Sequence, residues 1–287
     1  MNSSYIYIYD DFLTDRQFER DVATLETELN TYDMAGQIGR LALFRSARDL
    51  VMSMVHDHVA TIVIVGNDST LDKTMWFLPD LNIPIGYVPL AGPSAIADLL
   101  GIQVGVRACE ALAARNIETL DMGKIDDRYF LTEVSISSTF AGIEVDGNYT
   151  LSSRYGGALS VRNLGGLQDG RMDFADAQDG FLEVVMTPDQ EEQSRFLKRR
   201  SAQMETTKIL LEEGRIVSRD PLEAFVDNHV VHGHTFRVSS VPSILRFITG
   251  RGRIRMPQWT LQRGKRDGTL RSSRVSLPRG SQKPVTI

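Results

Sequence analysis

Cysteine is nearly missing from this chain: 287 residues contain a single one, Cys109. That excludes an internal disulfide and any zinc site built on cysteine. No apolar run approaches the roughly 20 residues needed to span a bilayer. The first ten residues lack the basic start and long apolar core of a secretory leader. They alternate tyrosine with isoleucine and then reach Asp10 and Asp11. A low-complexity tract is also absent. These absences lead us to expect a cytoplasmic protein with an ordinary core, and the composition agrees, at 42% apolar and 24% charged residues.

Charge is unevenly spread. The net value is −5, yet the segment from Arg251 to Ile287 holds ten Lys or Arg against one acid, Asp267. That is +9 for the segment and −14 for the remainder. A basic segment on an acidic body suggests contact with an anionic surface, such as a membrane, or pairing within the molecule. A solvated tail explains it equally well.

The first 120 residues alternate strand and helix signals. Tyr5 to Tyr9 is aromatic and β-branched, as strands are. A helix is expected from Thr14, with Gln17 completing a capping box and Phe18, Val22, Leu25 and Leu29 on one face. Gly39 to Phe44 reads as a second strand, and Ser46 as the cap of a helix whose apolar stripe is Leu50, Val51, Met54 and Val55. Thr61 to Val65 and Ile85 to Val88 are unbroken apolar runs, as expected of strands buried on both faces of a parallel sheet. The pattern predicts a three-layer α/β domain.

Beyond Asp121 the signals become short and β-rich: Tyr129 to Ser137, Gly142 to Leu151, Ala158 to Asn163, Phe181 to Met186, His234 to Ser239 and Ile244 to Ile248. Asp146-Gly147 signals a hairpin. One helix is expected, opening at Thr187-Pro188 with Gln190 at the capping position and running to about Glu213, with Phe196, Leu197, Met204, Leu210 and Leu211 as its core face. The fold class is thus an α/β three-layer domain, 1–120, followed by a β-rich antiparallel sandwich, 121–250. The basic segment 251–287 completes the division, with a return to the first domain open to it.

Val65-Gly66-Asn67-Asp68-Ser69-Thr70-Leu71 follows a buried strand and opens a helix. Ligands in α/β domains bind at the carboxyl ends of strands, and free amides at a helix start attract phosphate. An acid at such a turn can hold Mg²⁺. A plain Asn-Asp cap is the competing reading.

These residues resemble the catalytic domain of the diacylglycerol kinases, on a superfold shared with NAD kinases. The family's turn is Gly-Gly-Asp-Gly-Thr, then Leu-Asn-Glu. Here Gly66, Asp68, Thr70 and Leu71 match, Asn67 and Ser69 replace glycines, and Asp72-Lys73 replaces Asn-Glu. Pro89 to Ile102 is similar to the family's Pro-Leu-Gly-Thr-Gly-Asn-Asp stretch and the Leu-Gly-Ile after it, with Ser94 for its asparagine and Ala95 for its aspartate. Asp121-Met122-Gly123, Arg128-Tyr129-Phe130, Ser160 to Asn163 and Asp176 to Val184 extend the likeness along most of the chain.

The resemblance implies an ATP- and Mg²⁺-dependent phosphotransferase acting on a lipid hydroxyl. It implies a nucleotide site at Gly66, Asn67, Asp68, Ser69, Thr70, Gly92 and Ser94, and metal-side acids at Asp68, Asp176 and Asp179. The family's Asp-Gly-Glu, whose glutamate serves as base, falls on Thr249-Gly250-Arg251. A guanidinium stays protonated near neutral pH and cannot be that base. The alternative is therefore a catalytically inactive kinase-fold scaffold for a nucleotide, an anionic lipid or a protein. No specific nucleic acid is expected, and a homo-oligomer is open. NAD kinase activity is disfavoured by Asp72-Lys73. His229, His232 and His234 lack the companions of a metal site, and His56 and His58 suit a helix end.

Overall fold

The computed structural model describes residues 4–42, 46–137, 140–145, 149–152, 156–168, 171–188 and 206–253. Four parallel strands come first: β1 (Ser4–Tyr9), β2 (Gly36–Arg40), β3 (Val59–Gly66) and β4 (Ile85–Pro89), side by side as β2-β1-β3-β4. Tyr7 pairs with Ile38 on one side and Val63 on the other, and Ile64 pairs with Tyr87. Helices α1 (Glu19–Thr31), α2 (Ala47–Met54), α3 (Asp68–Met75), α4 (Ala95–Leu100) and α5 (Ala108–Ala114) connect and cover these strands. Tyr5 to Tyr9, Ile62 to Val65 and most of β4 are buried, as strands covered on both faces require.

Two elements of this part differ from expectation. The first helix begins at Glu19, not Thr14. Asp10 caps a short 3-10 turn over Asp11–Thr14, and Asp15 then breaks the run with extended backbone before a second 3-10 turn. The second strand lies at Gly36–Arg40, earlier than the expected Gly39 to Phe44, and residues 43–45 fall outside the described ones. Gly36 permits the earlier register: it pairs with Tyr5, where a Cβ would overlap the Tyr5 carbonyl oxygen. Ser46 caps α2 as expected, accepting from the Asp49 amide at 3.4 Å.

The rest of the described chain pairs antiparallel within itself. It comprises β5 (Ile117–Ile125), β6 (Arg128–Phe130), β7 (Glu133–Ile136), β8 (Gly142–Val145), β9 (Tyr149–Ser152), β10 (Gly157–Arg162), β11 (Gly165–Gln168), β12 (Arg171–Phe174), β13 (Leu182–Pro188), β14 (Thr207–Leu211), β15 (Glu213–Val226) and β16 (His229–Ile248). β7, β10, β13 and β14 are neighbours in that order. β8 and β9 form the hairpin expected around Asp146-Gly147, although 146–148 themselves lie outside the described residues.

The helix expected from Thr187 to Glu213 is corrected at both ends. Thr187 and Pro188 finish β13, and Thr207–Leu211 is a strand paired to β13. Leu210 and Leu211 therefore belong to a ladder, where backbone pairing overrides a helix-like composition. Residues 189–205, with Phe196, Leu197 and Met204, are outside the described set.

β15 pairs with β8 through Gly214–Val217 and with β7 through Phe225 and Val226. Between these stretches its register against β16 shifts, around Asp220-Pro221. Such a break bends a strand from one face of a sandwich to the other. A second core sits inside, containing Phe130, Val134, Ile143, Val161, Leu182, Ile216, Phe236 and Val238. The chain is thus an α/β part followed by a β-rich antiparallel part.

β5 and β16 join the two parts. β5 passes through Leu120, so the position near which the sequence pattern changes is the middle of a strand. β16 pairs with β15 over its first half and β5 over its second, then adds to the parallel sheet through Phe247 beside Ile85 of β4. Among the described residues, no helix is long and apolar enough to cross a membrane.

Candidate functional site

The carboxyl ends of β1, β2 and β3 surround the start of α3. Gly66 ends β3, and a Cβ there would overlap Thr70 Oγ1, so glycine lets α3 fold back tightly on its strand. Asn67 is the helix cap: its Oδ1 accepts the Thr70 amide at 3.0 Å, while Thr70 Oγ1 accepts the Asn67 amide at 2.9 Å. This is a reciprocal capping box. Asn67 has φ −136°, ordinary extended backbone, so the family's glycine is not required here. Ser69 is exposed on the first turn.

Asp68 is partly exposed, but its carboxylate is engaged. Its Oδ1 accepts from Tyr87 Oη at 3.0 Å and from Ser94 Oγ. Its Oδ2 accepts the Ala95 and Ile96 amides at 3.0 and 3.4 Å. Ser94 also caps α4 by accepting the Ala97 amide at 2.9 Å. Gly92, with φ +76° and open space where a Cβ would stand, turns the chain from β4 into that helix. The predicted nucleotide residues therefore do come together, as a tight junction between α3, β4 and α4. Burial and the nearby Asp68 charge push the Tyr87 phenol well above its usual value.

Sequence reasoning missed a second acid, packed against α3 from the end of β1. Asp10 follows β1 and is fully buried. It accepts from Thr70 Oγ1 at 2.6 Å, from Lys73 Nζ at 2.9 Å on both oxygens, and from the Asp11 amide at 2.8 Å. Burial opposes its ionisation, but hydrogen bonding with the Asp11 side chain, Thr70 and Lys73, together with the Lys73 charge, outweighs that and holds its carboxyl below the ordinary range. The available signal was an acid immediately beyond a buried parallel strand, the same signal that singled out Asp68.

Beside this pair lies a cleft of about 380 Å³, with Asp11, Asp72, Lys73, Trp76, Arg128 and His229 in its wall. Arg128, from β6, donates to the Asp72 carboxylate at 3.2 Å. Burial raises the Asp72 carboxyl, and Arg128 offsets this in part. The Arg48 guanidinium stands 5.9 Å from the Trp76 ring. The cleft combines an aromatic face with cationic and acidic groups at a strand-end edge, a size and chemistry suited to a small polar ligand.

Asp176 and Asp179 lie elsewhere, on a turn over β5. Each accepts an amide two residues on, from Gln178 at 3.1 Å and Phe181 at 2.9 Å. Burial, with the Asp176 and Asp121 charges, pushes Asp179 up to about 6. Asp121 is buried beneath them, accepting from Gly180 and Ser243 amides at 2.8 Å each. Asp68 is not grouped with this turn, and no three of His, Cys, Asp and Glu among the described residues are placed to hold a metal. Both Asp68 oxygens already receive N–H or O–H donors. Asp68, Asp176 and Asp179, the acids expected on the metal side, therefore do not form one Mg²⁺ site.

Arg251 and Asp68 lie at opposite ends of α4. The Gly250 amide donates to the Leu100 carbonyl at the end of α4, whereas Asp68 caps its beginning. Arg251 lines a separate hollow of about 880 Å³ with Asp98, Arg107 and Asn116. The first residues of the basic segment thus contact the α/β part, and residues 254–287 lie outside the described ones.

Neither a protein-family profile nor a curated protein matches the sequence. Solved structures do. A diacylglycerol kinase from Bacillus anthracis strain Sterne superposes with a TM-score of 0.72 at 14% identity, covering 88% of this chain and 98% of that one. Two candidate diacylglycerol kinases from the same strain give TM-scores of 0.72 and 0.71 at 15% and 13% identity, each covering 88% of this chain and 99% of theirs. The fold is that of a lipid kinase. More narrowly, the chain has a diacylglycerol kinase-like fold over nearly its whole described length.

Proposed function

We propose that this chain is a lipid-kinase-fold protein that binds a nucleotide in the cleft beside α3 and does not transfer phosphate to a lipid. The observation that carries this reading is the state of Asp68. The acid that the resemblance assigns to the metal side is engaged on both oxygens by Tyr87, Ser94 and two amides of α4. It works as a strut between elements. Arg251, at the base's position, cannot accept a proton and stands at the other end of α4.

The cleft supports nucleotide binding through Trp76, which offers a face for a base, and through Lys73, Arg128 and His229, which offer donors to phosphate. Calorimetry with ATP should show saturable binding, and labelled ATP with diacylglycerol in mixed micelles should show no transfer above background. Transfer by wild type that disappears in Asp68→Asn would sink the proposal and restore the enzyme.

An active kinase remains the second reading because of His229. Phosphoryl transfer depends mainly on positioning and charge, and an imidazole in the cleft wall could take the hydroxyl proton in place of the missing glutamate. The same micelle assay, run on wild type and His229→Ala, separates the two readings.

A further inference from the structure

Lys73 stands where the family has the glutamate of Asn-Glu, which reverses the charge at that point. Its position on α3, three residues beyond Thr70, puts both side chains on the face turned towards β1. There they meet the same carboxylate. Asp10 has no exposure, so without a partner its charge would be costly to bury. The Lys73 ammonium lies 2.9 Å from each Asp10 oxygen, and Thr70 and the Asp11 amide complete the set of donors. The Lys73 ammonium thus supplies the positive charge that this buried carboxylate requires.

The lysine is not used up by that contact. Its side chain keeps 45% of its exposure and lines the cleft with Trp76, Arg128 and His229. An ammonium carries three donors, so capacity remains for a ligand oxygen. A divalent ion entering here would meet the fixed positive charge of Lys73 beside Asp10; of the cleft's other acids, Asp72 is paired with Arg128 and Asp11 stands next to Asp10. The other acid of the junction, Asp68, is already saturated.

We propose that Lys73, anchored on Asp10, supplies within the chain the positive charge that a divalent metal would bring, so that ligand binding in this cleft needs no divalent cation. For nucleotide as the ligand, this rests on the reading given above.

Two measurements test it. ATP titrated calorimetrically into wild-type protein, once with EDTA and once with magnesium chloride, should give dissociation constants that agree within about threefold. Binding that requires magnesium overturns the inference and leaves nucleotide binding intact. Absence of binding in both buffers overturns nucleotide binding instead, and the metal arm then decides the inference alone. In that arm, free Mn²⁺ is followed by electron paramagnetic resonance. Wild type should leave Mn²⁺ in solution, whereas Lys73→Glu, which restores a carboxylate, should bind it and melt lower in EDTA than in Mn²⁺. Mn²⁺ captured by wild type, or no gain in Lys73→Glu, overturns the proposal. If Lys73→Glu does not fold, Lys73→Gln takes its place. It should melt below wild type by the same interval with or without Mn²⁺, and a melting temperature equal to wild type overturns the proposal.

Discussion

At the scale of single residues, the junction is held by acids that accept more hydrogen bonds than a surface carboxylate would. Asp10 is the clearest. Its depressed pKa means that the folded state favours the charged form, so its contribution is fully present above the ordinary carboxylate value of 3.8. That contribution is lost as pH falls through the lower, folded value. Asp10→Asn should therefore cost on the order of 2 kcal/mol at neutral pH, the scale of hydrogen bonds to a charged group. Urea unfolding of both proteins should show a constant gap from pH 7 to about 5 that narrows below about 4. A gap that widens on acidification would mean Asp10 is not charged in the folded protein. Asp10 went unnoticed in the sequence because its partners, Thr70 and Lys73, are 60 and 63 positions away. Asn67, Asp68 and Thr70 were legible because the capping box is local in sequence.

At the scale of elements, α4 depends on groups outside itself. It has six residues, too short to be stable alone. Ser94 both caps it and donates to Asp68, and Asp68 accepts the next two amides. Ser94→Ala should lower stability by about 1–2 kcal/mol, the usual cost of losing a cap, measured as a shift in the urea midpoint. The strands β1, β3 and β4 could be read directly because burial on both faces leaves unbroken apolar runs. β14 could not. Its residues Thr207–Leu211 follow a stretch with helical spacing, and what makes them a strand is pairing to β13, a partner the local pattern does not reveal. The late start of α1 has a similar origin, since Asp15 reads equally well inside a first turn or before one.

At the scale of the whole molecule, β5 and β16 carry both cores. Leu120, Met122, Leu245, Phe247 and Ile248 pack into the first, and Ile125, Phe236 and Val238 into the second. Damage to β16 should therefore be felt in both. Phe247→Ala, deep in the first core, should cost about 3–5 kcal/mol. Hydrogen exchange should report lost protection in β4 and in β5 together. Loss confined to β4 would show that the two parts unfold independently. The α/β-then-β order was visible in the sequence, but this sharing was not, because nothing local marks Ile244 to Ile248 as the neighbour of Ile85.

That neighbour relation bears on how the protein is made. A ribosome releases Ile85 about 160 residues before Phe247, and until then the outer edge of β4 has no strand to cover it. The nascent α/β part must wait, with an apolar strand open on one side, for almost the whole described chain to be translated. Chains cut short before Ile244 should accumulate as aggregates or be bound by chaperones, while chains ending shortly after Arg253 should be spared.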